Sequence, residues 1–261
     1  MLTDSHAHIH FADFQDDLQR IFDNARANDV GGIICVGTDE EDSHRALDFV
    51  SDELILKQSK GITLRATFGL HPHEAHRGPK SLEAIRFLLK LGQPCAIGEC
   101  GLDYYRNLSS REEQQAALTF QIELALEHNL PLVFHVREAW DDFFATIKHY
   151  PALRGVVHSF TGGPQEVDRA MDYGLYFGLN GIMTFTKDQE QLEAARLIPS
   201  DRLLLETDSP YLTPAPLRGK RNEPANAALV ARFLSEIRNE DYALLAEQTN
   251  KNIQQLFVFS D

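Results

Sequence analysis

Three histidines stand at alternate positions in the stretch LTDSHAHIHF near the N-terminus: His6, His8 and His10. Residues i and i+2 of a β-strand lie on the same face, so His6 and His8 can point together at one metal ion. Imidazole nitrogen is a common ligand of zinc and of other divalent ions. An H-x-H pair alone is weak support for a metal site. His10 continues the alternation but falls where a strand should give way to a loop, so we predict that it is not a ligand.

Further residues of ligand type follow other short apolar stretches of the chain. They are Glu99 in AIGECGLDYYR, His135 in PLVFHVRE, His158 in VVHSFTGG and Asp208 in LLLETDSPYL. A single histidine at a strand end is more often a hydrogen-bonded loop residue than a ligand. The whole set is different, because buried carboxylates and imidazoles that converge on one place need a counter-charge. A divalent cation with nitrogen and oxygen ligands supplies that charge.

These residues need strands that end at a common edge, and the chain contains eight short β-rich runs at roughly regular spacing. Runs this short and apolar are typical of strands buried on both faces of a parallel sheet. The runs cover residues 2–8, 32–38, 63–70, 94–99, 131–136, 154–160, 174–181 and 202–207. Helical patterns lie between them, with capping boxes predicted at Thr38–Glu41 and at Ser110–Glu113. Further helices are predicted at 81–91, 138–149, 164–173, 188–197, 224–238 and 240–257.

A strand followed by a helix, eight times over, predicts an α/β fold of the (β/α)8 TIM-barrel type. The alternative is an open doubly wound sheet, but the sequence has no G-x-G-x-x-G motif to support it. No long linker divides the chain, so we predict a single metal-dependent hydrolase domain over residues 1–261. The active site of such a barrel lies at the C-terminal ends of the strands, which is where the ligand-type residues stand.

Composition narrows the classes of function. The chain of 261 residues has a formal net charge of −14, which opposes broad gripping of nucleic acid by basic residues. It does not exclude an enzyme that takes one strand end into a pocket, and it suits a protein that holds cations. Three cysteines give no disulfide framework. No apolar run approaches the ~18 residues of a membrane span and no signal peptide is recognisable, so we predict a cytoplasmic protein without membrane contact.

The motifs together resemble the TatD family of metal-dependent hydrolases, which are often described as TatD-type deoxyribonucleases. The matching elements are DSHAHIHF, FGLHPH, AIGECGLDYYR, PLVFHVRE, VVHSFTGG, ETDSPYL and RGKRNEPA, in that order from residue 4 to residue 225. The resemblance therefore covers nearly the whole chain, and the set of motifs is highly specific. It implies a TIM barrel, in agreement with the eight strand and helix repeats.

The resemblance also implies two adjacent divalent metal ions. Carried over by position, one ion takes His6, His8, Glu99 and Asp208, and the other takes Glu99, His135 and His158, so that Glu99 bridges them. Related amidohydrolases often use a carbamylated lysine as the bridge, but the fourth strand here offers Glu99 and no lysine. The ligand types favour zinc or manganese over magnesium, while nucleases of this family are commonly assayed with magnesium. We therefore predict two divalent ions per chain, Zn, Mg or Mn.

The implied activity is hydrolysis of DNA phosphodiester bonds from a strand end, with single-stranded DNA or strand ends as the substrate. A metal-activated water would attack, with Asp208 as general base and Glu99 as the second catalytic residue. His71, Arg137 and Arg221 are predicted to contact phosphate. A surface ion pair for Arg137 and a solvated loop for Arg221 are the alternatives.

Other readings of the same residues stay open. Glu206 either orients a ligand or forms a salt bridge below the site. Tyr104, Tyr105 and Tyr211 either stack on bases or pack under the loops. The same centre would also serve a hydrolase of another bond, such as an aminoacyl-tRNA ester, an amide or a small phosphoester. A metal-binding scaffold without turnover is disfavoured by the intact ligand set. The oligomeric state is not predicted.

Overall fold

The chain folds as parallel strands joined by helices, in a computed structural model that describes residues 1–257. The strands are β1 (Leu2–Ala7), β2 (Val30–Val36), β3 (Thr63–Phe68), β4 (Ala96–Asp103), β5 (Leu132–Arg137), β6 (Gly155–Val157), β7 (Tyr176–Leu179) and β8 (Leu203–Leu205). The α-helices are α1 (Leu18–Ala27), α2 (Glu40–Ser51), α3 (Glu53–Gln58), α4 (Gly78–Leu88), α5 (Arg111–Glu127), α6 (Trp140–Ile147), α7 (Pro164–Met171), α8 (Gln189–Leu197), α9 (Ala227–Arg238) and α10 (Tyr242–Leu256).

The sheet follows the order of the chain from β1 to β8, and every neighbouring pair is parallel. The first strand also meets the segment that follows the last one. Ala7 pairs with Ser209, the His8 N–H donates to the Ser209 carbonyl at 2.8 Å, and the Asp208 N–H donates to the His6 carbonyl at 2.9 Å. The predicted (β/α)8 barrel is confirmed, and the open doubly wound sheet is wrong.

The strands are buried on both faces, which explains their apolar composition. Ile34, Val133 and Leu204 belong to one apolar cluster with Ile253 and Leu256 of α10. Their neighbours along the strands belong to a second, larger cluster that includes the buried faces of the surrounding helices. The last helix therefore packs against inward-facing strand residues, while the other helices cover the outside of the sheet.

Two details of the helices differ from prediction. The capping box at Thr38–Glu41 is wrong, because α2 begins at Glu40 and its N-cap is Asp39, whose side chain accepts the Asp42 N–H. Thr38 donates instead to the Asp42 carboxylate. The box at Ser110–Glu113 is confirmed at the start of α5. Helix α3 was not predicted, and none of its residues is buried, so it has no apolar stripe that a sequence pattern could show.

The strand ends also differ from the predicted ones. β4 runs on to Asp103, so Glu99 lies within the strand, whereas β6 and β8 stop before His158 and Asp208. The extension of β4 depends on Gly101, which has a φ of 148°. A Cβ atom there would lie 1.9 Å from the His135 carbonyl oxygen, so only glycine lets β4 and β5 approach so closely.

None of the helices within residues 1–257 has the length and hydrophobicity needed to cross a bilayer. The cytoplasmic location and the single domain over residues 1–261 stay predictions, and residues 258–261 lie outside the described part of the chain.

Candidate metal centre

Glu99 lies at the centre of a cluster of imidazole rings at the C-terminal end of the barrel. Its Oε1 atom is 2.7 Å from His158 Nε2 and 2.9 Å from His135 Nδ1. Its Oε2 atom is 3.3 Å from His6 Nε2. The carboxylate thus turns one oxygen toward each of the two predicted ligand sets, as a bridging carboxylate must.

Asp208 completes the side of the cluster that faces β1. Its Oδ1 atom is 3.4 Å from His8 Nε2 and 3.7 Å from His6 Nε2. Asp208 has a φ of 57°, a left-handed conformation that residues other than glycine adopt rarely and often at functional sites. The structure therefore brings all the predicted metal ligands together around Glu99.

Hydrogen bonds to the outer nitrogens of His8 and His135 fix the tautomer of each ring. They thereby decide which nitrogen presents a lone pair to the cluster. His8 Nδ1 is 2.8 Å from the Val36 carbonyl oxygen, so Nδ1 carries the hydrogen and Nε2 is free to bind a metal. His135 Nε2 is 3.1 Å from Asp103 Oδ2, so Nδ1 is its free atom. Carbonyl and carboxylate groups hold metal-binding histidines in this way.

In His71 the outer ring nitrogen accepts a hydrogen bond, whereas in His8 and His135 it donates one. The His73 backbone N–H donates to His71 Nδ1 at 3.1 Å, so the hydrogen of the neutral ring lies on Nε2. This Nε2–H faces Glu99 Oε1 at 3.3 Å. Burial lowers the pKa of His71 to about 4, which keeps the ring neutral at pH 7. His71 is therefore an N–H donor and not a metal ligand, and its contact with phosphate stays a prediction.

The cluster fits a divalent cation. His6 Nε2 is buried and has no hydrogen-bond partner among residues 1–257, although two carboxylates face it. Burial raises the pKa of Glu99, but the surrounding imidazoles of His158, His71 and His6 outweigh it and hold that pKa well below its usual range. Burial likewise raises the pKa of Asp208, but its bond with His8 and the nearby imidazole charges outweigh it and lower that pKa. Ionised carboxylates around a buried lone pair need a cation between them.

Two buried carboxylates support the ligands from behind, and neither has a role that was predicted firmly. Asp103 Oδ2 accepts from His135 and, at 2.8 Å, from His73 Nε2. Glu206 Oε1 accepts the Ser159 N–H at 2.6 Å and lies 3.6 Å from His158 Nδ1. Glu206 forms no ion pair with a lysine or arginine in the described chain, which favours the ligand-orienting alternative. The only signal in the sequence was their position a few residues from a ligand.

The cluster opens into a cavity of about 1090 Å³. Arg106, Arg137 and Arg218 line it, and within residues 1–257 none of them pairs with a carboxylate. We call them the rim arginines. Arg137 lies over the Tyr105 ring at 3.8 Å and Arg218 over the Phe185 ring at 3.7 Å. The surface ion pair considered for Arg137 is thus not formed, and the rim of this acidic protein carries exposed positive charge.

Other predicted residues lie elsewhere or have structural partners. Arg221 does not line the cavity, because its guanidinium donates to Asp17 at 2.7 Å, so its contact with phosphate stays a prediction. His10 Nε2 pairs with Asp42 at 3.1 Å. The Tyr104 hydroxyl donates to Asp142, in line with packing, whereas Tyr211 lines the cavity and is 54% exposed.

Comparison with known proteins agrees with this geometry. The family model described as TatD related DNase matches residues 3–258. A relative from Bacillus subtilis named uncharacterized metal-dependent hydrolase YabD is 34% identical, over 98% of this chain and 99% of its own. The 3'-5' ssDNA/RNA exonuclease TatD of Klebsiella pneumoniae is 37% identical, over 94% of this chain and 93% of its own. The crystal structure of YjjV, a TatD homologue from Escherichia coli K12, superposes with a TM-score of 0.90 at 29% identity, covering 99% of this chain and 98% of that one.

Proposed function

Because the chain belongs to the TatD-related DNase family and is a metal-dependent hydrolase, we propose that it is an exonuclease acting on the ends of single-stranded DNA or RNA. Relatives 34–37% identical over most of the chain are named 3'-5' ssDNA/RNA exonucleases. The observation that carries the proposal is the ligand cluster around Glu99, which opens into a cavity lined by the rim arginines. The proposed direction of digestion is 3' to 5'.

Two divalent ions would be held by the residues around Glu99. His6, His8 and Asp208 would bind one, His135 and His158 the other, and Glu99 both. Such ions neutralise charge that develops on a phosphate and make a water more acidic. Imidazole donors favour zinc or manganese over magnesium.

Asp208 and His71 carry the remaining chemistry. Because its pKa is lowered, Asp208 is ionised at neutral pH and can take a proton from the attacking water. The water oxygen bonds to phosphorus, one P–O ester bond breaks, and the leaving oxygen takes a proton from solvent, so that a hydroxyl and a phosphomonoester result. His71 Nε2–H can donate to a non-bridging phosphate oxygen and so holds the phosphate in place.

The rim favours a single strand over a duplex. Positive side chains that follow the backbone and aromatic rings that stack on bases are what single-strand sites use. The rim arginines supply the positive side chains. Trp140 and Tyr211, which also line the cavity, supply the aromatic rings. A cavity set in the end of a barrel admits a strand end more readily than the side of a duplex.

The test is digestion of 5'-labelled DNA and RNA, each single-stranded or in duplex, by protein loaded with Zn²⁺, Mn²⁺ or Mg²⁺. We expect metal-dependent shortening of the single strands from the 3' end, and none with Asp208→Asn. Nucleic acid left intact with every metal, while an aminoacyl-tRNA ester or a small phosphoester is cleaved, would replace the nuclease with the alternative hydrolase.

Arg218→Gln tests the rim separately. We expect weaker binding of single strands and a shallower dependence of log K on log [salt], by about 0.7 for one lost phosphate contact. Arg169→Gln is the matched control, since Arg169 also stacks on an aromatic ring but pairs with Asp141 outside the cavity. Equal salt slopes for the two variants would remove Arg218 from the binding site.

A further inference from the structure

A second group of polar atoms lies behind the ligand cluster. One nitrogen of His6, one nitrogen of His158 and one carboxylate oxygen of Glu206 lie within 4.8 Å of one another. All three residues are buried, with exposures of 0%, 4% and 0%. His6 Nδ1, His158 Nδ1 and Glu206 Oε2 have no hydrogen-bond partner in the part of the chain described. Buried polar atoms are nearly always paired, so three unpartnered atoms on side chains this close together point to a shared occupant.

The protonation of the two rings identifies that occupant. The rings are stacked, with centroids 3.8 Å apart and planes at 15°, and both Nε2 atoms face Glu99. With Nε2 used for metal binding, each Nδ1 carries a hydrogen. The group therefore offers two N–H donors and one carboxylate acceptor. A metal ion cannot bind an Nδ1 that bears a hydrogen, whereas one water molecule can accept both N–H groups and donate to the carboxylate.

The dimensions suit a water as well. Atoms that hydrogen-bond to one tetrahedral water at the usual lengths lie up to about 4.7 Å apart, and the three side chains bring ligand-type atoms within 4.8 Å of one another. His158 Nδ1 lies 3.6 Å from Glu206 Oε1, which is too long for a direct bond, and a bridging water is the usual explanation for such a gap. Three polar partners are the typical number for a buried water.

Glu206 is held through its Oε1 atom, which leaves Oε2 as the unpartnered oxygen. Its Oε1 atom accepts from the Ser159 N–H at 2.6 Å and from Asn180 Nδ2 at 3.1 Å. Gly178 makes room for the other oxygen, because a Cβ atom there would lie 2.1 Å from Glu206 Oε2. The carboxylate cannot turn away without losing two hydrogen bonds.

We propose that a single buried water joins His6 Nδ1, His158 Nδ1 and Glu206 Oε2, and that Glu206 is a positioning residue shared by both metal ions. The inference rests on the proposed ligand sets, in which His6 belongs to one ion and His158 to the other. Through this water Glu206 fixes the hydrogen of each ring on Nδ1 and so keeps both Nε2 atoms free for metal.

The test measures metal binding by the whole protein, with zinc titrated against a chromophoric chelator and bound metal counted by mass spectrometry. Glu206→Gln puts an amide N–H₂ where the water needs an acceptor, and we expect both ions to bind about 10–100-fold more weakly. Gly178→Ala leaves Glu206 in the chain but displaces its carboxylate, and we again expect both ions to bind more weakly. Glu240→Gln is the matched control, because Glu240 is a partly buried carboxylate that pairs with Arg238 and Ser200 and not with a proposed ligand.

A direct readout is the tautomer of the two rings, from long-range ¹H–¹⁵N spectra of the zinc-loaded protein. We expect Nδ1–H signals for His6 and His158 in the wild type and their loss or rapid exchange in Glu206→Gln. A third bound zinc per chain, or unchanged affinity in both Glu206→Gln and Gly178→Ala, would overturn the inference. Failure of the proposed ligand sets is distinguishable, since His6→Ala would then bind zinc as tightly as wild type.

Discussion

A substitution at Asp103 should weaken the binding of one proposed ion and leave the other unchanged. Its Oδ2 atom accepts from His135 Nε2 at 3.1 Å and from His73 Nε2 at 2.8 Å, and its Oδ1 atom accepts the Arg106 N–H at 2.7 Å. Burial raises the pKa of Asp103, but the bonds from the two imidazoles outweigh it and hold that pKa well below its usual range. The carboxylate is thus an ionised acceptor on both sides.

Asp103→Asn leaves one oxygen where there were two. Either the Arg106 N–H or the two imidazole N–H groups then face an amide N–H₂ and lose their acceptor. A hydrogen bond to a charged group contributes about 1.5–3 kcal/mol, and about 1.4 kcal/mol is a factor of ten in Kd. If the bond to His135 is the one lost, the ion held by His135 should bind about 10–100-fold more weakly.

The assay is a zinc titration of metal-free protein in competition with a chelator. We expect the zinc ion held by His135 to bind more weakly and the other zinc ion to keep its wild-type affinity. The reason is that Asp103 contacts no ligand of the ion held by His6, His8 and Asp208. His73→Gln is the comparison, since it leaves the bond between Asp103 and His135 in place and should leave both equivalents tight. Two equivalents weakened to the same extent in Asp103→Asn would refute the assignment of His135 to one ion, as would two unchanged equivalents in Asp103→Ala, which removes both acceptor oxygens.

Three further predictions concern other parts of the molecule. Glu99→Ala should abolish hydrolysis and remove both tight zinc equivalents, and retained activity would exclude a bridging carboxylate. His71→Gln should lower kcat/KM without moving the acid limb of the pH–rate profile. The pKa of His71 is about 4, so its charge appears only as pH falls through that value, and an acid limb that shifts in this variant would contradict the neutral donor. Arg238→Met should cost about 3–5 kcal/mol in urea unfolding, because the 3% exposed Arg238 side chain donates to the Ala195 and Ile198 carbonyls and to Glu240. Arg196→Ala, in an exposed pair with Glu193, should cost about 0–1 kcal/mol, and equal costs would show that burial of Arg238 does not matter.

The barrel was predictable because each strand is a short run buried on both faces, and amphipathic helices alternate with the runs. Local patterns also gave the capping box at Ser110 and Glu113, whose partners are three residues apart. Helix α3 was not predicted because its leucines are exposed: Leu54 is 66% and Leu56 47% exposed. An apolar pattern arises only where a helix has a face to bury.

The clustering of the predicted ligands was predictable from motif resemblance, whereas the residues behind them were not. Asp103 in β4 contacts His135 in the neighbouring strand β5, and Glu206, which follows β8, contacts Ser159, which follows β6. No local spacing marks such contacts, since they depend on the register between strands. The same reason explains why the sequence could not show that Arg218 lines the cavity and Arg221 does not: both lie in one loop, and only the packing of that loop decides which guanidinium faces the cavity.

The bonds that close the barrel also set the time at which the enzyme becomes active. His6 and Asp208 meet through backbone hydrogen bonds that join the first strand to the segment after the last one. A chain leaves the ribosome N-terminus first, so a growing chain exposes the early histidines long before Asp208 exists. An unfinished or prematurely terminated chain therefore has no complete centre. The cluster around Glu99 can therefore form only when synthesis of the chain is nearly over.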